Sequence, residues 1–577
     1  MQILGVFHSY FDPSAALVRD GEVIAFAEEE RLVRVKHAHG RFPSKAVRHV
    51  LEAGGVTLSD IDAIVQGWDC NAYENGEMAA HYDGINARYR TTEQDLAYQK
   101  RHLENLSASA QSGIILRNLR KDYGDLEFPP VVFVRHHLAH ACMAFQHSGM
   151  SQALVLTIDG SGEWVTTAWW LARNGRLELL REVDIPHSLG WFYAAFTEYL
   201  GFEAYDGEYK VMGLAAYGKE DRELRKKLER LVWYDGAGGF ESDPMLLARG
   251  PRRYSYYYPD TLAEYIGRPP RTRSEEITGW HMNLAYEVQL RLEAIVTDML
   301  AHWVRETGVR LLTVAGGVGL NVKMNGKLFT SGLIDDLFAH PLCADAGISI
   351  GAALAHEYHQ RERLEPKRLP DVYLGPSFDD DEIEGILRAC KLPYRKEEAI
   401  EERVATLLAE GKVVGWFQGK MEGGPRALGS RSILADPRSN VSRDRVNAVI
   451  KFREFWRPFC PSMTTTGARR FLEAHTYAPF MTLAFPATAE AREKIPAVVH
   501  VDGSSRPQIL DPETNPRYHR LLEAFERRAG VACVLNTSFN IKGEPIVCTP
   551  HDAIRTFSAT GLDALAIGSF LLLKEGS

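Results

Sequence analysis

The chain has 577 residues, 45% hydrophobic and 25% charged, the composition of a globular protein rather than a disordered or fibrous one; at roughly 150 residues per domain, about two to four domains are expected. Its 67 basic and 76 acidic residues give a formal charge of -9, which supplies no global positive field for duplex nucleic acid. No apolar run reaches the ~18 residues that span a bilayer, and MQILGVF lacks the basic flank and cleavage site of a signal peptide. A soluble, cytoplasmic protein with no nucleic-acid or membrane partner is expected. The seven cysteines are scattered and contain no CxxC pair, which fits neither a disulfide framework nor a cysteine zinc site.

The first thirty residues predict strand, polar loop, strand, tight turn, strand: QILGVF, HSYFDPS, AALVR, Asp20-Gly21, EVIAFAE. The Asp-Gly pair suits a type I′ hairpin turn. The same grammar returns as ALVLTI, then Asp159-Gly160-Ser161-Gly162-Glu163, TTAWWLA, Asn174-Gly175 and RLELLREV, an internal repeat of a three-strand unit. Each polar loop is expected at a strand end, where backbone N–H groups can approach an anionic ligand. Residues 76–125, polar with helical spacing, and residues 233–275, with Tyr254, Tyr256, Tyr257 and Tyr258, predict surface elaborations.

Between the repeats, Val134-Arg135-His136-His137-Leu138-Ala139-His140 opens a predicted helix after the strand VVFV. His136 and His140, four apart, share a helical face on which two imidazoles can hold one metal. Asp159 and Asp345 are the candidate carboxylate partners, each in a Gly-containing loop after an apolar run, although a helix N-cap is the commoner use of a loop aspartate. His/carboxylate ligation with open positions suits iron, manganese or zinc. The stretch Asp206 to Gly213, containing Lys210, reads by spacing as a surface turn. Ala315-Gly316-Gly317-Val318-Gly319-Leu320-Asn321 follows the strand RLLTV and precedes a helix, and its glycines permit close approach of a ligand or backbone.

Residues 359–376 are charged and then Pro-punctuated, which marks a linker. The predicted division is 1–358, a linker over 359–372, and 373–577. In the second part, Lys420 to Arg457 carries nine basic residues against four acidic, an island that suits a small polyanion such as a nucleoside triphosphate.

The motifs SAALV, DGEVIAFAEEERLVRVKH, HHLAHA, DGSGE, GEYKVMGLAAYG, AGGVGLN, ADAGISIGAAL, GGPRALGSRSILADPR, IKFREFWRPFCPS, VDGSSR and VLNTSFNIKGEPIV run in order from residue 3 to about residue 574. Together they resemble the O-carbamoyltransferases of natural-product and nodulation-factor biosynthesis, among them the cephamycin and tobramycin (nebramycin) carbamoylating enzymes. The resemblance implies an α/β architecture: a duplicated actin-like ATPase domain similar to threonylcarbamoyl-transfer proteins, followed by an α/β domain similar to threonylcarbamoyl-adenylate synthases. It also implies the chemistry. The second domain would make carbamoyl-adenylate from carbamoyl phosphate and ATP with Mg2+, and the first would pass the carbamoyl group to a small hydroxyl-bearing acceptor. A dry site would protect the adenylate from water.

By the same resemblance, His136, His140, Asp159 and Asp345 match the ligands of a divalent transition metal, with Fe2+ preferred. Arg426, Lys451, Arg457 and Arg506 match phosphate and carbamate contacts, and Asn536, Thr537 and Ser538 an adenylate loop. His137, Gly160, Lys210, Gly316, Gly317 and Asn321 match transfer-site adenylate contacts. Lys36 matches a lysine that balances charge as AMP departs, and a homodimer is compatible with the family. One departure stands out: Phe11-Asp12 occupies the place of a His-Asp pair whose histidine assists acceptor deprotonation. His8, Asp12 or the metal are the substitutes, and His8 is preferred because an imidazole is matched to neutral pH. The alternatives are an N-carbamoyl or threonylcarbamoyl-like transferase acting on a nucleoside or tRNA, and a non-catalytic nucleotide-binding regulator.

Overall fold

A computed structural model describes residues 1–8, 12–247, 258–451, 454 and 456–574, the side chain of Val449 excepted. Phe11 and the cluster Tyr254, Tyr256 and Tyr257 lie outside these residues.

The chain divides into two compact units. In the first, β1 (Gln2–Phe7), β2 (Ser14–Arg19), β3 (Glu22–Glu28), β4 (Ala63–Gln66) and β5 (Val131–Phe133) form a sheet of order β3-β2-β1-β4-β5. β1 runs antiparallel to β2 and parallel to β4, which is parallel to β5. A second sheet contains β6 (Gln152–Ile158), β7 (Val165–Arg173) and β8 (Arg176–Asp184); after the short hairpin β9 (Val232–Tyr234) and β10 (Phe240–Ser242), β11 (Leu311–Ala315) and β12 (Asp336–Ala339) complete it in the order β12-β11-β6-β7-β8. The two orders are the same unit twice, the duplicated α/β arrangement expected of an actin-like domain. Both hairpins turn through left-handed pairs, Asp20 and Gly21 at φ 48° and 80°, Asn174 and Gly175 at φ 52° and 79°, the backbone a type I′ turn requires.

Ile3, Leu4 and Val6 of β1 and Leu154, Val155 and Leu156 of β6 are fully buried. Runs of consecutive buried residues, instead of alternation, mean that both faces of these central strands are covered. On the first sheet one cover is the helix Ile348–Arg361. It approaches so closely that a Cβ on Gly5 would fall 1.7 Å from the Ser349 carbonyl oxygen. The segment 206–213 is not a surface turn. It enters the helix Glu208–Ala215, whose Val211 and Leu214 are fully buried, because apolar residues at helical spacing outweigh the flanking glycines.

The second unit is built on an eight-stranded sheet. Its strands are β13 (Arg395–Lys396), β14 (Val414–Phe417), β15 (Arg431–Ala435), β16 (Cys460–Thr464), β19 (Gln508–Leu510), β20 (Cys533–Ser538), β21 (Ala564–Ile567) and β22 (Phe570–Leu573), and the ribbon β17 (Phe485–Pro486) with β18 (Ser504–Ser505) stands separately. The sheet order is β13-β22-β21-β14-β15-β20-β16-β19. The helices Ile400–Ala409 and Pro516–Ala529 pack on each other.

The predicted boundaries need two adjustments. Residues up to Leu369 belong to the first unit: Leu364, Lys367 and Leu369 donate backbone hydrogen bonds to Gly175, Gln146 and His147, so most of the charged segment is docked and not a free linker. Ala25–Gly40 groups with the second unit instead of the first. There Phe26 N–H donates to the Leu374 carbonyl at 3.2 Å, Arg31 to the Gly424 carbonyl at 2.8 Å and Arg34 to the Pro545 carbonyl at 2.9 Å. Composition marks a linker but not which backbone carbonyls satisfy an arginine. Among the described residues, no helix is long and apolar enough to cross a membrane.

Candidate functional site

In the first unit the helix His136–Ser148 follows β5, Asp159 follows β6, and Asp345 opens a short turn after β12. These three junctions converge. His136 Nε2 is 3.8 Å from Asp159 Oδ2 and 3.8 Å from Asp345 Oδ1, and His140 Nε2 is 3.2 Å from Asp159 Oδ2. One ligand atom from each of the four residues lies within 4.8 Å of the others. A cation bound at ~2.0–2.2 Å from nitrogen and oxygen separates its ligands by roughly 3–4 Å, so the spacing fits a metal. The donor set fits too: both Nε2 atoms are buried without a hydrogen-bond partner, which is costly unless a ligand satisfies them.

Surrounding groups orient the cluster. His136 Nδ1 faces the Gly67 carbonyl at 3.0 Å; a carbonyl only accepts, so the proton sits on Nδ1 and Nε2 keeps its lone pair. Asp159 Oδ2 accepts from Gly317 N–H at 2.9 Å and Oδ1 from Gly160 N–H at 2.7 Å. With no cation present, burial works against charge on His136, yet the neighbouring carboxylates of Asp159 and Asp345 lift it to about 9. His140 is lowered to about 4, chiefly by burial. Asp159, although burial opposes its charge, is held well below the usual carboxylate range by the two histidines beside it.

Glu163 is the residue that sequence reasoning missed. It is 3% exposed, and its Oε1 accepts from Asp69 N–H at 2.6 Å and from His136 N–H at 3.0 Å, tying the first turn of the histidine helix to the loop after β4. Its place in the repeated polar loop DGSGE was the available signal.

The residues matched to the transfer-site adenylate scatter in character. His137 Nδ1 is 2.8 Å from Thr157 Oγ1, and its Nε2 is buried and unpartnered; burial holds the ring neutral, well below its ordinary range. Gly316, at φ 94°, packs so tightly that a Cβ would meet the Ile158 carbonyl oxygen at 2.1 Å. Asn321 is occupied: its Oδ1 caps the following helix at Met324 N–H, 3.0 Å, and its amide exchanges hydrogen bonds with Gln289 at 2.9 and 3.0 Å. That side chain is a helix cap with a buried partner. Lys210 holds its ammonium 5.7 Å from the Phe202 ring centre and 5.9 Å from that of Tyr209.

His8 is enclosed at the end of β1, 2% exposed, with its ring 5.4 Å from that of Phe42 and a hydrogen bond with Gln66. Burial lowers it to about 4. This is the arrangement of a packed strand-end histidine and a weak base.

In the second unit Asp12 faces a different imidazole, with Oδ1 2.8 Å from His37 Nδ1, while His37 N–H donates to Glu30 Oε2 at 2.7 Å. Asp12, His37 and Ala38 all take left-handed backbone, φ 50°, 59° and 41°, a cost of order 1–3 kcal/mol each for non-glycine residues that concentrates at functional sites. Lys36 opens the same turn.

The second unit also carries a polar sheet face. Asn536 of β20 stands opposite Cys460 of β16; side chains alternate along a strand, so Asn536 and Ser538 share one face and Thr537 points to the other. The expected trio is therefore split. Arg506 places Nε and Nη2 3.0 and 2.8 Å from Cys460 Sγ. Lys451 Nζ donates to Asn540 Oδ1 at 2.8 Å and to the Asn540 carbonyl at 3.0 Å, and contacts Ser538, so it clamps the end of β20. Arg457 lies 3.8 Å from Glu454. Arg426 rides on the GGPRALG loop, which Glu422 organises by accepting from the N–H groups of Leu428, Ser430 and Arg431 at 2.7, 3.2 and 3.1 Å.

A duplicated α/β unit with an imidazole–carboxylate cluster is thus accompanied by a second α/β unit in which Arg506 and Lys451 contact residues of the sheet. Residues 2–354 match the family model for the carbamoyltransferase N-terminus and residues 405–574 that for the carbamoyltransferase C-terminus. The chain belongs to the carbamoyltransferase family and is an enzyme that transfers carbamoyl groups, which sets aside the non-catalytic alternative. It is 37% identical to an uncharacterized protein of Synechocystis over 99% of this chain and 96% of that one, 37% identical to the nodulation protein NolNO of Sinorhizobium fredii over 98% and 79%, and 38% identical to the nodulation protein NolO of Bradyrhizobium diazoefficiens over 77% and 79%. Solved structures are more distant. Component A of the Acidaminococcus fermentans (R)-2-hydroxyglutaryl-CoA dehydratase, 12% identical, covers 62% of this chain with 99% of its own at a TM-score of 0.31.

Proposed function

We propose that this carbamoyltransferase is ATP-dependent and acts on oxygen: the second unit makes carbamoyl-adenylate from carbamoyl phosphate and ATP, and the first moves the carbamoyl group to a hydroxyl of a small natural-product acceptor. The observation that carries the reading is the convergence of His136, His140, Asp159 and Asp345 at three strand ends of one unit, while the phosphate-matching cations stand in the other. Carbamoyl phosphate gives up its phosphate to water and leaves carbamate, whose oxygen attacks the α-phosphorus of ATP as pyrophosphate departs. The acceptor oxygen then attacks the carbamoyl carbon, and AMP leaves.

Arg426, Arg457 and Arg506 supply planar donors for phosphate oxygens, with Mg2+ accompanying ATP. His136, His140, Asp159 and Asp345 would hold a divalent transition metal, Fe2+ in the family reading, which when bound supplies Lewis-acid stabilisation of developing negative charge. Gly67 and Glu163 keep His136 presented for that role. The acceptor hydroxyl gives up its proton to water as the carbamoyl carbon is attacked.

Two variants of the full chain test the division of labour. Arg457→Ala should lose carbamoyl-phosphate-dependent pyrophosphate release. His140→Ala should retain it and lose transfer, read by mass spectrometry as replacement of H by CONH2 on the acceptor. Equal loss of both half-reactions in a folded His140→Ala protein contradicts the proposal.

A further inference from the structure

The helix Glu29–Val33 follows β3 and, with the residues on either side of it, belongs to the second unit. Glu28, Glu30 and Arg31 are 7, 8 and 5% exposed, and charges this enclosed persist only when paired. Arg31 Nε lies 3.0 Å from Glu30 Oε1, and Arg31 Nη2 lies 3.1 Å from Glu28 Oε2. Together Glu28 and Arg31 hold Gly424 by both of its backbone groups. Gly424 N–H donates to Glu28 Oε2 at 3.1 Å, and Arg31 Nη2 donates to the Gly424 carbonyl at 2.8 Å.

Gly424 is buried and left-handed, at φ 90°, and Pro425 follows it. Proline fixes its own φ and restricts the residue before it, so the orientation of Gly424 carries stiffly to Arg426. Beyond Arg426, the N–H of Leu428 is held by Glu422. Arg426 therefore sits between two fixed points, one of them supplied by a helix 393 residues earlier in the chain.

The other end of the network holds a strained turn. His37 N–H donates to Glu30 Oε2 at 2.7 Å, and His37 and Ala38 adopt left-handed backbone at φ 59° and 41°, which non-glycine residues keep only where the surroundings hold them. Lys36 opens this turn.

We infer that Glu28 and Arg31 are positioning residues that couple the Arg426 loop to the Lys36 turn, so that occupation of the loop by the phosphate of the carbamoyl donor sets the turn for transfer. The inference rests on the proposed donor site at Arg426. Such coupling ties the second half-reaction to the first, and linkage makes it reciprocal: whatever loosens the turn weakens donor binding.

The test measures hydrogen–deuterium exchange of the full chain with and without saturating carbamoyl phosphate and α,β-methylene-ATP, whose bridge blocks adenylate formation. In the wild type, residues 420–430 and 29–40 should both exchange more slowly when the two compounds are present. Arg31→Lys keeps the charge but lacks the planar fork that reaches Glu28, Glu30 and Gly424 together. Its protection should persist at 420–430 and be lost at 29–40. Its KM for carbamoyl phosphate in pyrophosphate release should rise roughly tenfold with kcat unchanged; a purely structural role would lower kcat through the folded fraction and leave KM alone. Wild-type protection confined to 420–430 overturns the inference whether or not the variant folds, and an unchanged KM in a folded Arg31→Lys protein overturns it as well. Wild-type protein that releases no carbamoyl-phosphate-dependent pyrophosphate removes the donor site beneath the inference, which separates the two failures.

Discussion

His8→Gln separates a packed histidine from a catalytic one. The imidazole is lowered from 6.5 to about 4 by burial, so as pH falls the unfolded chain takes up the proton first. Its folded pKa lies below the unfolded value, and stability present at pH 7 is lost from about pH 6.5 downward until the folded group itself titrates near 4. At ~1.36 kcal/mol per pH unit, the proton costs the folded chain roughly 2.5 kcal/mol at pH 4.5. His102 and His147 are also lowered to about 4 by burial, so the first unit should be acid-sensitive as a whole. Urea unfolding followed by tryptophan fluorescence at pH 7 and pH 4.5 should show the wild type losing stability on acidification, and His8→Gln losing roughly 2.5 kcal/mol less. Per folded molecule the variant should transfer carbamoyl groups near the wild-type rate. Identical acid sensitivity in both proteins would show that burial does not hold His8 neutral. A selective loss of transfer with adenylate formation intact would show that His8 takes the acceptor proton after all.

Glu163→Gln keeps an acceptor for the N–H groups of His136 and Asp69 but loses its charge, and should weaken metal retention about 10–100-fold. Metal analysis after dialysis against a graded chelator is the measurement, and wild-type retention counts against the role given to Glu163. Glu422→Gln should raise KM for carbamoyl phosphate by loosening the loop that carries Arg426, while leaving metal content as in the wild type; an unchanged KM would place Arg426 outside the donor site.

The duplicated unit was legible because its signals are local: Asp20-Gly21 and Asn174-Gly175 specify hairpins through the φ values they tolerate, and strand periodicity does the rest. The spacing of His136 and His140 placed them on one helical face without any tertiary information. Asp345 entered as a candidate from its Gly-containing loop after an apolar run, but nothing within the chain's local pattern joins it to a helix about two hundred residues earlier; that pairing came with the resemblance. Thr537 was grouped with its neighbours although period-two alternation argues against it. Glu163 and Glu422 escaped notice for a shared reason: each acts on backbone N–H groups, which every residue type possesses and no motif displays. Asn321 also caps a helix, a use of its side-chain oxygen that the glycine-rich loop before it did not display.

The assignment of Ala25–Gly40 to the second unit has a consequence for biosynthesis. Arg31 and Arg34 leave the ribosome hundreds of residues before the carbonyls of Gly424, Pro545 and Ile546 that receive them. At ~5–20 residues per second, the buried charges Glu28, Glu30 and Arg31 wait tens of seconds for their enclosure. Folding of this chain cannot proceed strictly from front to back. The nascent N-terminal segment must remain unassembled until the last strands appear, so a C-terminally truncated chain would leave that segment exposed to proteases, and a fragment beginning at residue 373 would start without it.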